Sequence, residues 1–159
     1  SAMCFEPVIA HGASALQSAK KQEVSDDLEQ IIQNILISTG SVSLLVHPDY
    51  NSALAHALFY GLTVREHIEK KHLHGEVVSY GTLVQLMMDG QMDMLKKAYA
   101  FHRQIGLPVC LADLELSKDD PLSDVLEMAE KNQELNHVPY PVTQALIRKA
   151  IDDLENYAG

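Results

Sequence analysis

The fold is decided by residues 51–62, which read Asn-Ser-Ala-Leu-Ala-His-Ala-Leu-Phe-Tyr-Gly-Leu. Asn51 or Ser52 can cap a helix, and almost every later position of the stretch is apolar. A second stretch of this kind covers residues 75–88. Because helices that are apolar on all sides lie inside a domain, we expect these two helices to form its central pair.

Amphipathic helices are predicted around this pair. Ser25 can cap one helix that Gly40 would end, and its apolar residues recur at helical spacing. One or two short helices are predicted before residue 25, and one helix over residues 92–105 is closed by Gly106 and Pro108. Two further helices are predicted to begin at Asp120-Pro121 and at Pro141 or Thr143. Residues 42–46 are either a short strand or a link. The pattern predicts an all-α bundle of about six to eight helices.

Composition excludes several classes of function. The chain has 159 residues, enough for one domain, and a formal net charge of −10 from 12 basic and 22 acidic residues. Nucleic-acid binding needs clustered cations, so no nucleic-acid partner is expected. Without an apolar run of about 20 residues or an export signal, we expect a cytoplasmic protein with no membrane contact. No glycine-rich phosphate loop is present, so this chain alone should not bind a dinucleotide.

The ends of the chain and its cysteines add little. Ser1 and Ala2 precede Met3 and are expected to be a cloning remnant, which leaves residues 3–159 as a single helical domain. Two cysteines, Cys4 and Cys110, are too few for a disulfide scaffold or a thiolate metal site.

Eight histidines are the unusual count. His56 lies in the middle of a buried helix, where it is either a core residue bonded to a backbone carbonyl or a metal ligand or catalytic base. His74 is expected at the entrance of the second buried helix, pointing into the bundle, where Glu76 would interact with the helix dipole. The others carry no such pattern: surface positions are expected for His67, His72 and His102, His137 lies in a loop, and His11 and His47 are uninformative.

The segment around His56, followed eighteen residues later by His74-Gly75-Glu76, resembles the iron-containing alcohol dehydrogenase superfamily, and within it the glycerol dehydrogenase group. That group shows the motif A-A-H-A-x-H-N-G-L-T and then H-G-E-x-V-A-x-G-x-x-x-Q-L at this same separation. Further likenesses are found at residues 85–86, 105–108, 111–114 and 136–139. The resemblance spans most of the chain from about Ser25 onward and implies the helical C-terminal domain of these enzymes and of the dehydroquinate synthases.

This resemblance implies a metal-dependent oxidoreductase that transfers hydride between a small alcohol or polyol and NAD. A zinc or iron ion would be held by one aspartate and two histidines, and the two histidines fall on His56 and His74. NAD would belong to a separate N-terminal domain of the full-length parent. His137 and Phe59 would lie at the substrate pocket, and a homo-oligomer is expected.

The sequence departs from the family pattern at three points. Residues 4–6 resemble the end of the motif that supplies the metal-binding aspartate, which would place that aspartate upstream of Ser1. The cofactor domain is absent from the chain. Phe59 and Tyr60 stand where the group has histidine and asparagine. We therefore expect this chain alone to be inactive, with weak or no metal binding.

Two hypotheses of different classes follow. In the first, the chain is the metal-site half of an NAD-dependent glycerol, polyol or alcohol dehydrogenase, truncated or expressed as a fragment. In the second, it is a non-catalytic helical module that serves assembly or regulation and whose exposed apolar face is covered by a partner. A third interpretation keeps His56 and His74 as structural residues only.

Overall fold

A computed structural model describes residues 2–47, 52–157 and 159 of the chain. This described part contains nine α-helices and no β-strand. Their bounds are α1 (Ala2–Lys21), α2 (Asp26–Gln33), α3 (Gly40–Leu45), α4 (Leu54–Leu62), α5 (Glu66–Lys71), α6 (His74–Met88), α7 (Met92–Ile105), α8 (Ser123–Glu130) and α9 (Gln144–Glu155). Short 3-10 turns cover Leu111–Leu114 and Gln133–Leu135. A π-helical segment, Asn34–Thr39, joins α2 to α3 without a break, so the described residues form eight continuous helical rods and the predicted all-α fold is confirmed.

The chain divides into two compact units, Ser1–Asn51 and Ser52–Gly159. The sequence predicts that residues 3–159 form one helical domain, and this stays a prediction. Each unit is described below by itself.

In the first unit, α1 packs against α2. The hydroxyl oxygen of Ser25 accepts a hydrogen bond from the Leu28 amide at 3.2 Å, which confirms the predicted cap of α2. The Asn34 side chain is buried and donates to the Cys4 carbonyl at 2.9 Å, which joins the π-helical segment to α1. None of the predicted apolar residues of α2 is buried.

The structure corrects two expectations about this unit. Gly40 does not end the helix, because it has helical φ and ψ angles and is the first residue of α3. The region 42–46 is neither strand nor link, since α3 continues to Leu45. The π-helical segment carries the chain through Gly40 without a left-handed turn.

The second unit is built around the predicted central pair. Helix α4 packs against α6 and α8, and α6 packs against α7 and α9. Gly81 of α6 lies against the backbone of α4, where an added Cβ would be 2.6 Å from the Ala55 carbonyl oxygen. Gly61 makes the same kind of approach to α8, with 2.5 Å to the Val125 carbonyl oxygen. The two glycines thus allow α4 to approach both neighbours at backbone distance.

Most of the predicted boundaries in this unit are confirmed. Helix α7 covers Met92–Ile105, and Gly106 closes it with a φ of 81°. Thr143 caps α9 by accepting from the Leu146 amide. The start of α8 differs from the prediction: the helix begins at Ser123, because the Asp120 carboxylate accepts from the Leu122 amide and Leu122 itself adopts a left-handed conformation. Of the two predicted caps of α4, Asn51 lies outside the described residues. Ser52 is not the cap, because the helix follows Ala53 and the Ser52 hydroxyl donates to the Glu134 carboxylate instead.

Arg148 on α9 fixes the loop before α8. Its guanidinium donates to the carbonyl oxygens of Lys118 and Asp120 at 2.8 and 2.6 Å, and it forms an ion pair with Asp152. Hydrogen bonds from a charged donor contribute about 1.5–3 kcal/mol each when both groups are shielded from water. This guanidinium therefore adds two hydrogen bonds to a turn in which the Asp120 carboxylate already accepts from Arg65 and from the Leu122 amide.

We expect the substitution Arg148→Met to lower the free energy of unfolding by about 2 kcal/mol, because it leaves two loop carbonyls without their donor. Urea unfolding followed by circular dichroism measures this. Lys149→Met is the matched control on the same helix, since Lys149 forms only an exposed pair with Asp153 and should cost less than about 1 kcal/mol. Equal losses for the two variants would contradict the assigned role of Arg148.

No helix within residues 2–47 and 52–157 combines the length and the apolar character that a membrane span needs.

Candidate metal and substrate site

The packing of α4 on α6 brings together the two histidines that the sequence singles out. His56 is the third residue of α4, so it lies in the first turn and not in the middle of the helix as predicted, and His74 is the first residue of α6. The expectation that His74 points into the bundle is wrong, because the residue is exposed at the start of α6. Their ring centroids are 5.6 Å apart and the ring planes are inclined by 46°. Neither ring forms a hydrogen bond to another described side chain or backbone group. The alternative of a core histidine satisfied by a carbonyl therefore has no support at His56.

Phe59 completes a cluster of three rings. It lies on the same helix as His56, one turn further along, and its ring meets the His74 ring edge-on with 4.4 Å between centroids. Tyr60 contacts Phe59 from the other side at 5.3 Å and is itself 46 % exposed. An aromatic edge against an imidazole restricts the ring orientations open to His74.

The surroundings of His56 favour its neutral form. Burial lowers the pKa of His56 below its usual value, and the neighbouring His74 lowers it further, while the Glu134 carboxylate acts in the opposite direction. A neutral imidazole has a free nitrogen lone pair, which is the form that binds a metal ion. Glu134 belongs to the 3-10 turn that packs on α4, and its carboxylate accepts a hydrogen bond from the Ser52 hydroxyl.

The spacing of the two rings can be compared with a shared metal ion. Two imidazoles that bind one zinc ion through nitrogens about 2.1 Å from it, at a tetrahedral angle, have ring centres on the order of 5 Å apart. The observed 5.6 Å is close to this value. The described residues offer no cluster of three or more histidine, cysteine or carboxylate groups able to hold a metal. Any metal ion shared by His56 and His74 would therefore need further ligands.

Two more residues named by the sequence have clear places. His137 is exposed and lies in the turn that follows Gln133–Leu135, three residues after Glu134. Glu76 lies in the first turn of α6, the position from which we expect it to interact with the helix dipole, and it also accepts a hydrogen bond from the Leu73 amide at 2.9 Å.

The structure corrects the expectations for three other histidines. His102 is buried, with 7 % exposed, and its Nδ1 lies 3.4 Å from the Pro108 carbonyl oxygen. His67 and His72 are half-buried, and each has a buried Nε2 atom without a hydrogen-bond partner among the described residues. The charged sequence around residue 70 predicts full exposure, but in the fold each of these two side chains is partly covered.

His102 predicts a pH dependence of stability. Burial lowers its pKa from 6.5, so between the folded pKa and 6.5 the unfolded chain binds more protons than the folded one. The stabilisation is therefore complete above about pH 6.5 and is lost as the pH falls below it. We expect the free energy of unfolding, measured with urea, to fall as the pH is lowered from 7.5 to 5.5. The contribution of His102 to this fall is at most about 1.4 kcal/mol per pH unit. The variant His102→Gln should show a shallower slope, and equal slopes would contradict the assignment.

Comparison with known proteins gives the relatives of the whole chain. No protein-family model matches the chain. The glycerol dehydrogenase of Thermotoga maritima is 33% identical over 159 residues, which cover 98% of this chain and 42% of that protein. A crystal structure of a probable glycerol dehydrogenase from Sinorhizobium meliloti superposes with a TM-score of 0.79 at 28% identity, over 96% of this chain and 43% of the other.

The chain is a relative of the glycerol dehydrogenases. It spans well under half the length of the proteins it matches, which is consistent with the C-terminal part of a glycerol dehydrogenase-like protein. The glycolaldehyde reductase of Halobacterium salinarum is a further relative, 28% identical over 94% of this chain and 40% of its own length. The resemblance that the histidine motifs indicate is therefore confirmed.

Sequence reasoning missed some contributors to this site in the glycerol dehydrogenase-like chain. Glu134 acts on His56 across 78 positions of sequence, and no local motif marks it. Gln85, by contrast, belongs to the family-like motif, and its amide oxygen accepts from the Ala55 amide at 3.2 Å. This bond satisfies a donor at the first turn of α4, directly before His56.

Proposed function

We propose that this chain is the metal-site half of an NAD-dependent glycerol, polyol or alcohol dehydrogenase, with His56 and His74 as two protein ligands of a zinc or iron ion. The observation that carries the proposal is the 5.6 Å approach of two imidazoles that form no hydrogen bond to other described groups. The relationship to the glycerol dehydrogenases supports it.

The chain's own residues would have defined tasks in this reaction. Helices α4 and α6 hold the two imidazoles at a fixed separation, and burial keeps His56 neutral and ready to bind a cation. A bound divalent cation would supply Lewis-acid polarisation of the substrate hydroxyl. Phe59, which touches the His74 ring, would exclude water from one side of the pair, and His137 would stand at the substrate side.

The substrate and the cofactor are assigned by relationship. The named activities of the relatives concern glycerol and glycolaldehyde, which are small hydroxylated compounds, and we assign this substrate class to the parent of the chain. NAD binding is assigned to the remainder of the full-length parent, which we propose to be a cytoplasmic homo-oligomer. Phe59 makes the pocket less polar than a histidine would, so the preferred alcohol should carry fewer hydroxyl groups than glycerol.

Zinc titration tests the ligand assignment. Two imidazoles without further protein ligands should bind zinc with a Kd on the order of 10–100 µM, measured by calorimetry at pH 7.5. The variants His56→Gln and His74→Gln should each lose this binding. His11→Gln is the control, because His11 pairs with Asp27 on the first unit. Unchanged binding in both His56 and His74 variants would refute the assignment, and sub-micromolar binding would show a third ligand in the chain.

An activity assay tests the incompleteness of the chain. We expect no oxidation of glycerol with NAD by the isolated chain at any zinc concentration, because its sequence contains no glycine-rich phosphate loop of the kind that binds NAD. Measurable turnover that disappears in His74→Gln would contradict this part of the proposal.

The second candidate function is a non-catalytic helical module for assembly or regulation. It is favoured by the exposure of large apolar side chains on the first unit, where Leu36, Leu44 and Leu45 are 71, 88 and 86 % exposed. Contiguous exposed apolar surface marks sites of protein contact. Light scattering after gel filtration distinguishes the outcomes, since a clean monomer that binds zinc through the histidine pair would favour the dehydrogenase half over the module.

A further inference from the structure

A cleft of about 520 Å³ lies in the second unit, and neither His56 nor His74 lines it. Its walls are the last turn of α7 with Arg103, the first turn of α6 with Glu76, and the loop 106–113. The volume is in the range of clefts that take small molecules.

Two negative side chains and one positive side chain line this cleft. The carboxylates belong to Glu76 and Asp113, and the guanidinium belongs to Arg103. Arg103 is exposed and forms no ion pair within the described ranges of the chain, so its charge is not neutralised there. His72 also lines the cleft, with its Nδ1 atom 3.6 Å from one Glu76 oxygen. The charged groups therefore leave an excess of one negative charge, and the net charge of −10 on the whole chain adds to the attraction for cations.

The backbone holds one oxygen of each carboxylate. The Leu73 amide donates to Glu76 at 2.9 Å, and the amides of Val109 and Cys110 donate to one oxygen of Asp113 at 2.9 and 3.2 Å. The second oxygen of each carboxylate is thus open to a donor from a ligand. Acceptors that are already oriented lose less entropy when a ligand binds.

The charges on the three walls specify the ligand that would satisfy all of them. A guanidinium pairs with a carboxylate through two parallel hydrogen bonds, and a carboxylate accepts strong hydrogen bonds from an ammonium group. A simple organic cation would leave Arg103 unpaired, and an anion would be repelled by two carboxylates. A bare metal ion is disfavoured, because the described residues hold no cluster of three or more metal-binding side chains. The complement is a small molecule with one carboxylate and two ammonium groups.

The cleft also has apolar surface, which Tyr99, Leu107 and Pro108 supply. The methylene groups of a straight aliphatic side chain can pack on such a surface while a charged end group reaches a polar partner. A linear side chain that ends in an ammonium group therefore suits this lining.

We propose that this cleft binds a dibasic α-amino acid of the lysine or ornithine class. The ligand carboxylate pairs with Arg103, and its two ammonium groups donate to the open oxygens of Glu76 and Asp113. This goes beyond the proposed dehydrogenase function, because the ligand uses neither His56 nor His74.

Lysine and three analogues of similar length, each without one of its charged groups, test the proposal. Cadaverine lacks the carboxylate, norleucine lacks the side-chain ammonium group, and aminocaproate lacks the α-ammonium group. Amide shifts of residues 106–113 in ¹H–¹⁵N spectra of the whole chain report occupancy. The spectra are recorded without zinc, at constant ionic strength and about pH 7.5, where free imidazole is largely neutral. We expect lysine to bind with a Kd on the order of millimolar and each analogue to bind at least about tenfold more weakly.

Crossed variants show which wall binds which group. Arg103→Gln should weaken lysine binding at least about tenfold without weakening cadaverine binding, because cadaverine has no carboxylate to lose its partner. Glu76→Gln should weaken the binding of both. Lys96→Gln and Glu69→Gln are the matched controls, since they remove the same charges from exposed positions that do not line the cleft, and they should leave the lysine affinity unchanged.

Three results would overturn the proposal. These are lysine shifts that remain the same in Arg103→Gln, an analogue that binds as tightly as lysine, and the absence of any shift at about tenfold the expected Kd. Zinc binding at His56 and His74 should survive Arg103→Gln, so this proposal and the proposed function can fail separately.

Discussion

Replacing Gly81 with alanine is expected to lower the free energy of unfolding by about 3 kcal/mol, the upper part of the range for overpacked cores. The new Cβ would lie 2.6 Å from the Ala55 carbonyl oxygen and 2.9 Å from its Cα, both of which are backbone atoms that cannot rotate away. Helix α4 would have to move off α6. Thermal unfolding should show a decrease of roughly 10 °C in Tm.

Gly75→Ala is the matched control on the same helix. No atom lies within 4 Å of a Cβ added at Gly75, so this change should be neutral or slightly stabilising through the higher helix propensity of alanine. Because Ala55 directly precedes His56, Gly81→Ala should also weaken zinc binding, whereas Gly75→Ala should not. Equal stability of the two variants would show that α4 and α6 do not approach as closely as described.

Replacing Phe59 with histidine is expected to raise zinc affinity on the order of 100-fold, equivalent to about 2.7 kcal/mol. Position 59 is one helical turn after His56, and its ring lies 4.4 Å from the His74 ring. An imidazole there would face the same space as the two existing ones and could complete a three-histidine zinc site. Calorimetric titration of the variant and the original chain under identical conditions measures the change.

Tyr60→His provides the control for this experiment. It adds the same imidazole one residue further, where the side chain is 46 % exposed and turned to another side of α4. We expect at most a small change in affinity. A similar gain in both variants would mean that the zinc binds elsewhere, and no gain in Phe59→His would mean that the imidazoles of His56 and His74 do not converge on one ion.

The central part of the fold could be predicted from sequence because its signals are local. Residues 54–62 and 74–88 are apolar on all sides, and Gly106 marks the end of α7 by a conformation that only glycine adopts easily. The first unit was harder, since a π-helical segment has no distinctive composition and Gly40 resembles a terminator without acting as one. Boundaries set by tertiary contacts, such as the start of α8 at Ser123, carry no periodic signal.

The candidate site was predictable only where motif and spacing coincide. His56 could be named because it lies within a recognisable helix motif, and His74 because it begins one. The structure brings the two rings together. The burial of His102 could not be foreseen, because it depends on the Pro108 carbonyl of a loop that folds back over α7. Glu134 was missed for the same reason, since its effect on His56 arises from packing between distant segments.

The π-helical segment 34–39 has a consequence for how this chain tolerates changes in length. A wide turn of this kind holds one residue more than an α-helical turn, so the side chains of α3 are rotated by about 100° relative to the positions they would take on a regular helix. The rod 26–45 therefore contains one residue more than an uninterrupted α-helix of the same length along its axis would hold. Deleting one residue from this segment should therefore regularise the rod and swing Leu44 and Leu45 to a different side of the first unit.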